Sequence, residues 1–223
     1  MKLRLITTFA LTAALASAAS DAPERLKAAA ESFKEVMGIP DRSIPQELLA
    51  KAFCVIIVPN LKKGAFIVGG QYGKGFASCR RENGVGWSAP GAMRIEGGSV
   101  GFQIGATETD VFMLLMNKKG MDRLLATKFT LGGEAAAAAG PVGRTAQAET
   151  DAAMTAEILT WSRSRGLFAG VSLKGSTLRE DKDWNKDLYG KEITNKDIIT
   201  KGTAAPSSAG EWMSELNRYS SRK

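Results

Sequence analysis

FCVIIVPNLKKGAFIVGGQYGKGFASCRRENGVGWSAPGAMRIEGGSVGFQIGATETDVFMLLMN, residues 53–117, decides the fold. It opens on Cys54-Val-Ile-Ile-Val58, a short, wholly apolar run of the kind a buried strand shows. Pro59-Asn60 then marks a turn. Further strands are predicted at 65–68, 75–80, 92–96, 100–106 and 111–116, separated by glycine-bearing turns. Spacings this short leave no room for crossover helices, so the strands pair mainly antiparallel.

On the N-terminal side, residues 23–37 carry a helical period. Leu26, Ala29, Ala30, Phe33, Val36 and Met37 share one face, and Arg25, Lys27 and Lys34 lie off it. Pro23 suits a first helical turn, and Gly38 followed by Pro40 ends the segment. Two readings of the apolar face are open. It packs on the domain's own sheet, or it lies on a membrane with Leu26, Phe33 and Met37 inserted; Glu24, Glu31 and Glu35 dilute the positive charge and weigh towards the first. Residues 45–52 read as a second, short helix.

On the C-terminal side, 118–126 reads as a short helix with Met121, Leu124 and Leu125 inward. The alanine run at 135–139 favours a helix by propensity, but Gly132, Gly133 and Gly140 around it argue for a closely approached strand. Strands at 156–161 and 167–173 are joined by Ser162-Arg-Ser-Arg-Gly166. Helices follow at 179–190 and 195–201. The expected architecture is one α+β domain over 21–202, a curved, mainly antiparallel sheet, barrel- or sandwich-like, flanked by short helices. A linker and short helix occupy 203–223.

Residues 1–20 read as a secretory signal peptide. Lys2 and Arg4 form the positive region, 5–16 the apolar region, and Ala16-Ser17-Ala18 the cleavage site, with Ala14-Leu15-Ala16 as a second option. The run is shorter than the roughly 20 apolar residues that cross a bilayer. The expected location is therefore periplasmic or secreted, soluble or peripheral on a membrane. In such an oxidising compartment Cys54 and Cys79 either pair or remain two buried thiols, and sequence leaves both open.

The chain has no histidine, which removes Ser-His-Asp and Cys-His catalysis and most zinc sites. Gly97-Gly-Ser-Val-Gly101 has the spacing of a nucleophile elbow around Ser99, but no base exists to activate it. Gly170-Val-Ser-Leu-Lys-Gly175-Ser176 lacks the lysine a phosphate loop requires. No catalytic residue, metal ligand or cofactor site is expected, and the chain is read as a non-enzyme.

The net charge of +7, about +5 without Lys2 and Arg4, favours anionic partners. Lys62, Lys63, Lys74, Arg80, Arg94, Arg144, Arg163 and Arg165 sit in glycine-rich, non-helical places, and Arg81, Lys118, Lys119, Arg123 and Lys128 are further basic residues. The first eight form the candidate phosphate-binding set, because arginine forks and glycine-turn amides both suit phosphate oxygens. Residues 140–144 and 162–166 are the strongest segments. Aromatics make up 7% of the chain and are not interleaved with the charges, so no nucleic-acid stacking platform is expected.

AFCVIIVP at 52–59, KGAFIVGG at 63–70, GWSAP at 86–90, GGSVGFQIG at 97–105, Thr109-Asp110, Leu131-Gly132, AGPVGR at 139–144 and SRSRGLFAG at 162–170 run in the order seen in the SYLF domain family. The chain resembles that family, the Ysc84-type actin/lipid-binding domain, over about 23–201, and its bacterial exported members most. The resemblance implies a central curved antiparallel sheet and lipid binding without catalysis, with phosphoinositides the ligands of eukaryotic relatives. There an N-terminal amphipathic helix, the counterpart of 23–37, assists membrane binding, and some fungal members bind and bundle actin. The expected partner is thus an anionic phospholipid membrane. The alternative is a protein partner, with the chain serving as an envelope interaction or structural module without lipid selectivity.

Overall fold

The computed structural model describes residues 21–40, 42–65, 69–81, 85–99, 105–126, 128–143, 156–164 and 166–220. The segment read as a signal peptide, most of the strand read at 100–106, and Arg144 and Arg165 lie outside these residues.

The run at 54–58 starts the central strand, β1 (Cys54–Ala65), which pairs antiparallel with β2 (Gly69–Cys79) on one side and β4 (Gly105–Leu115) on the other. Beyond β2 lie β3 (Gly91–Ser99), β9 (Thr177–Glu180) and β5 (Lys128–Thr130). Beyond β4 lie β7 (Ile158–Ser164) and β6 (Ala137–Ala139), while β8 (Leu167–Gly170) pairs with the second half of β7. These nine strands, counted among the described residues, form one sheet in which β6–β7 is the single parallel pair.

Alternation along the strands gives the sheet two apolar faces. Phe129 of β5 and Leu178 of β9, at one end of the strand order, share an inner core with Ile158 of β7 and Ala137 of β6 at the other. Residues that far apart in a flat sheet meet only if it curls. Leu131 and Ala135 bridge the turn between β5 and β6, and Leu124 of α3 (Lys118–Leu124) and Ile199 of α5 (Asn195–Thr200) add to the inner core. The expected curved, mainly antiparallel α+β domain is the fold observed.

The outer face, with Val55, Ile57, Phe76, Phe112 and Trp161, is covered by helices α1 (Asp21–Met37), α2 (Gln46–Lys51), α4 (Lys182–Tyr189) and α6 (Gly210–Ser220). Asp181 caps α4 by accepting the Trp184 N–H at 3.1 Å, and Gly190 ends it in the left-handed region. The Trp212 indole N–H donates to Ser78 Oγ at 2.8 Å and the Trp87 indole N–H to Ser220 Oγ at 3.0 Å, so α6 belongs to this core. Leu26, Phe33 and Met37 of α1 are buried there too, which makes α1 a helix packed on its own sheet.

Three local readings change. Pro59-Asn60 is not a turn between strands but a bulge inside β1, with the register against both neighbours shifting across it and Asn60 at φ 51°. The glycines at 69, 70 and 73 lie inside β2 rather than in a turn, and the bulge crowds Gly73 and Gly75. A Cβ on Gly73 would stand 2.8 Å from the Leu61 and Val58 side chains, and one on Gly75 would stand 2.1 Å from the Ile57 carbonyl oxygen. Residues 179–180 belong to β9 rather than to the following helix, which begins at Lys182 after its Asp181 cap.

Cys54 and Cys79 face each other across β1 and β2 and are joined by a disulfide, buried in the inner core. Across a sequence separation of 25, such a link contributes about 3 kcal/mol in the chain-entropy account.

Gly75→Ala is expected to destabilise the protein by more than about 3 kcal/mol, because its methyl group meets backbone and cannot be relieved by a side-chain rotation. Urea unfolding followed by tryptophan fluorescence measures this, with Gly98→Ala, which meets nothing within 4 Å, as the mild comparison.

Candidate functional site

Lys74 on β2 stands opposite Arg94 on β3, Arg94 opposite Arg179 on β9, and Arg179 opposite Lys128 on β5. The row lies on the face that carries Phe76 and Ala92 into the outer core. Like charges in directly opposed strand positions repel. Two carboxylates offset part of this. Glu96 Oε1 lies 2.6 Å from Arg94 Nε and 3.8 Å from Arg179 Nε, and Asp181 Oδ2 lies 2.9 Å from Lys74 Nζ. Lys74 also sits 4.4 Å from the Trp184 ring centroid, a cation–π contact. Lys128 and Lys182 have no ionic partner among the described residues. A cleft of about 530 Å³ opens along Arg94, Arg179, Lys128 and Lys182. A second, of about 260 Å³, lies beside it where Lys74 and Trp184 meet Arg25, Lys62 and Tyr72.

The eight candidates thus separate. Lys62, Lys74 and Arg94 border this basic face. Lys62 is exposed, with Glu108 at 3.9 Å. Arg80 is buried, its guanidinium 3.8 Å above the Trp87 ring and donating to the Leu49 carbonyl at 3.3 Å. A guanidinium in that position holds α2 to the sheet and is out of reach of a bilayer.

Lys63 follows Leu61 by two residues on the inner side of β1, opposite Gln71 and Thr107. It is half-buried, and burial lowers its pKa below the ordinary lysine value.

Arg163 is not in a connecting loop. It lies in β7 opposite Asp110 and donates to Asp110 Oδ2 from Nε at 3.0 Å and from Nη2 at 2.6 Å. Nη2 also reaches Ser32 Oγ of α1 at 3.1 Å, and Nη1 pairs with Glu35. Asp110, itself buried, accepts the Ser32 hydroxyl at 2.5 Å and, on its other oxygen, the Asn60 N–H at 2.9 Å. The network ties α1 to the sheet. Burial works against the charge on Arg163, but its hydrogen bonds to Glu35 and Asp110 outweigh that and raise its pKa.

Arg179 and Lys182 escape sequence reading because 177–180 is too short a strand to register before a helix cap. The alternation Thr177-Leu178-Arg179, with Leu178 buried, is the signal that finds them. Among the described residues no cluster of three or more His, Cys, Asp or Glu could hold a metal ion. No described helix is long and apolar enough to cross a membrane, which says nothing of strands.

The family description that matches residues 96–219 is Ysc84, "Las17-binding protein actin regulator". The chain belongs to this family, the one its ordered motifs resemble. The human SH3 domain-containing YSC84-like protein 1 is 34% identical over 209 residues, 91% of this chain and 60% of its own length. Protein YSC84 of Saccharomyces cerevisiae is 35% identical over 173 residues, 76% of this chain and 36% of its own. An SH3 domain-containing protein of Schizosaccharomyces pombe is 39% identical over 178 residues, 78% of this chain and 41% of its own. The chain therefore spans about a third to three fifths of the length of these relatives.

Two outcomes follow from the buried charges. Asp110→Asn leaves the Arg163 guanidinium underpaired and is expected to cost roughly 3 kcal/mol, with amide exchange rising first in α1; a uniform rise across the sheet contradicts this assignment. Lys63→Met is expected to raise the melting temperature at neutral pH. Because the lysine's folded pKa is the lower one, its penalty is present while both states are charged. The gain must shrink as pH climbs towards 10.5, the ordinary value, where both states lose the proton.

Proposed function

We propose that the chain binds anionic phospholipids, phosphoinositides among them, at a membrane surface, and that it does so without catalysis. The observation behind this reading is the basic face of Lys74, Arg94, Arg179 and Lys128, flanked by Lys62. Each cation held near an anionic surface contributes about 1 kcal/mol, so five acting together suffice for reversible adhesion. Tyr72, 46% exposed and opposite Lys62, supplies an amphipathic ring of the kind that settles among headgroups. The apolar face of α1 is already spent on the core, so adhesion is electrostatic rather than insertional.

An exported location is part of the same proposal. It draws on the positive, apolar and small-residue pattern of 1–20 and agrees with a disulfide between Cys54 and Cys79.

A second reading, a protein-interaction module without lipid selectivity, is favoured by the family's description as Las17-binding and actin-regulating. The membrane reading takes precedence because the basic face is built from the register of the sheet itself.

Sedimentation with vesicles of phosphatidylglycerol, cardiolipin or phosphatidylcholine across a salt series decides between them. The expected result is binding to the two anionic vesicles that weakens steadily as salt rises. Equal sedimentation with all three, or none, together with recovery of one stable protein from envelope extract, overturns the membrane reading in favour of the second.

A further inference from the structure

The basic row poses a chemical problem that its own carboxylates do not resolve. Arg94 and Arg179 share one carboxylate, Glu96, and the buried Nε–H of each finds no aligned acceptor. Lys128 and Lys182 face the same cleft with no ionic partner among the described residues. Of the acidic groups on the cleft wall, Asp181 is occupied by the Trp184 N–H and Lys74, and Glu180 accepts the backbone N–H of Asn195. Among the described residues, Asp183 is the one acidic group that lines the cleft without such a partner.

We propose that this cleft, between β3, β9, β5 and the start of α4, is a discrete phosphate site that takes a terminal phosphate, a phosphomonoester or a diphosphate. Two guanidinium forks and two ammonium groups on one wall match an oxyanion presenting three oxygens better than a phosphodiester presenting two. The row supplies the geometry: adjacent strands lie about 4.8 Å apart, so cations on β3, β9 and β5 straddle a group a few ångströms wide. The carboxylate of Asp183 opposes the ligand and sets its affinity below what the four cations alone would give. The inference rests on the membrane reading only in treating this face as one that meets headgroups. The same terminal phosphate could come from a lipid or from a soluble phosphorylated compound.

Calorimetry of the full chain with inorganic pyrophosphate tests the site directly. Arg179→Gln and Lys128→Gln should each weaken binding about tenfold or more, as loss of a charge-assisted contact does. Asp183→Asn should tighten it, a gain that general damage to the fold cannot mimic. Lys118→Gln, an exposed lysine on α3, should leave it unchanged. Thermal melting confirms that each variant is folded.

In a parallel arm, vesicles of phosphatidic acid, a phosphomonoester, are compared with phosphatidylglycerol vesicles of equal surface charge. Preference for phosphatidic acid that Arg179→Gln abolishes assigns the phosphate to lipid. Pyrophosphate binding with no vesicle binding upholds the site for a soluble ligand while the membrane reading falls. Absence of pyrophosphate binding, or equal losses in Lys118→Gln and Arg179→Gln, overturns the site, and phosphatidylglycerol binding then still stands or falls by itself.

Discussion

Asp110 is the carboxylate at which the layers of this protein are tied together. Its Oδ1 accepts the Asn60 N–H released from the strand ladder at the β1 bulge, and its Oδ2 accepts from Arg163 of β7 and from Ser32 of α1. One buried anion thus stabilises an irregular backbone, a neighbouring strand and the first helix at once. Such a group is tolerated in a core because both of its oxygens accept hydrogen bonds, some of them from a charged donor. The bulge then brings β1 close against β2, which is why Gly73 and Gly75 are bare. Bulge, glycines and helix docking form one constraint rather than three.

The same bulge separates two kinds of surface on the outer face. On one side Val55, Ile57 and Phe76 receive the helices. On the other, beyond Trp184, the side chains at equivalent positions of β2, β3, β9 and β5 become Lys74, Arg94, Arg179 and Lys128. The sheet's pleat is continuous through both, so cations project where apolar groups project a few residues away. The cost of aligning like charges is accepted on a surface with room for counter-charge. It is this change along a single face, not the total charge of the chain, that distinguishes the site from ordinary basic loops.

Much of the architecture is legible from residues 53–117 and 23–37, because each element there buries one face and so carries its period in its sequence. The run at 54–58 and the face of Leu26, Phe33 and Met37 are examples. The unreadable parts are those where local chemistry imitates something else. Pro59-Asn60 has the composition of a turn, and only the side chain of Asp110, fifty residues on, makes it a bulge. Gly73 looks like a turn glycine until the bulge is placed beside it. Arg80 and Arg163 have the composition of phosphate ligands, yet Trp87 and Asp110 engage them in the folded chain. The basic row depends on register among four strands, two of them only three or four residues long, and register is a property of the assembled sheet.

The ring nitrogens of Trp87 and Trp212 are satisfied by hydroxyls 133 and 134 positions away in the chain, and Phe33 meets Tyr219 edge-on at 5.9 Å. The outer core is therefore closed by α6 laid against α1, two helices far apart in the sequence. Until α6 docks, neither the Trp87 nor the Trp212 indole N–H meets its hydroxyl partner, however complete the sheet. Contacts of such long sequence separation also slow the search for the native state.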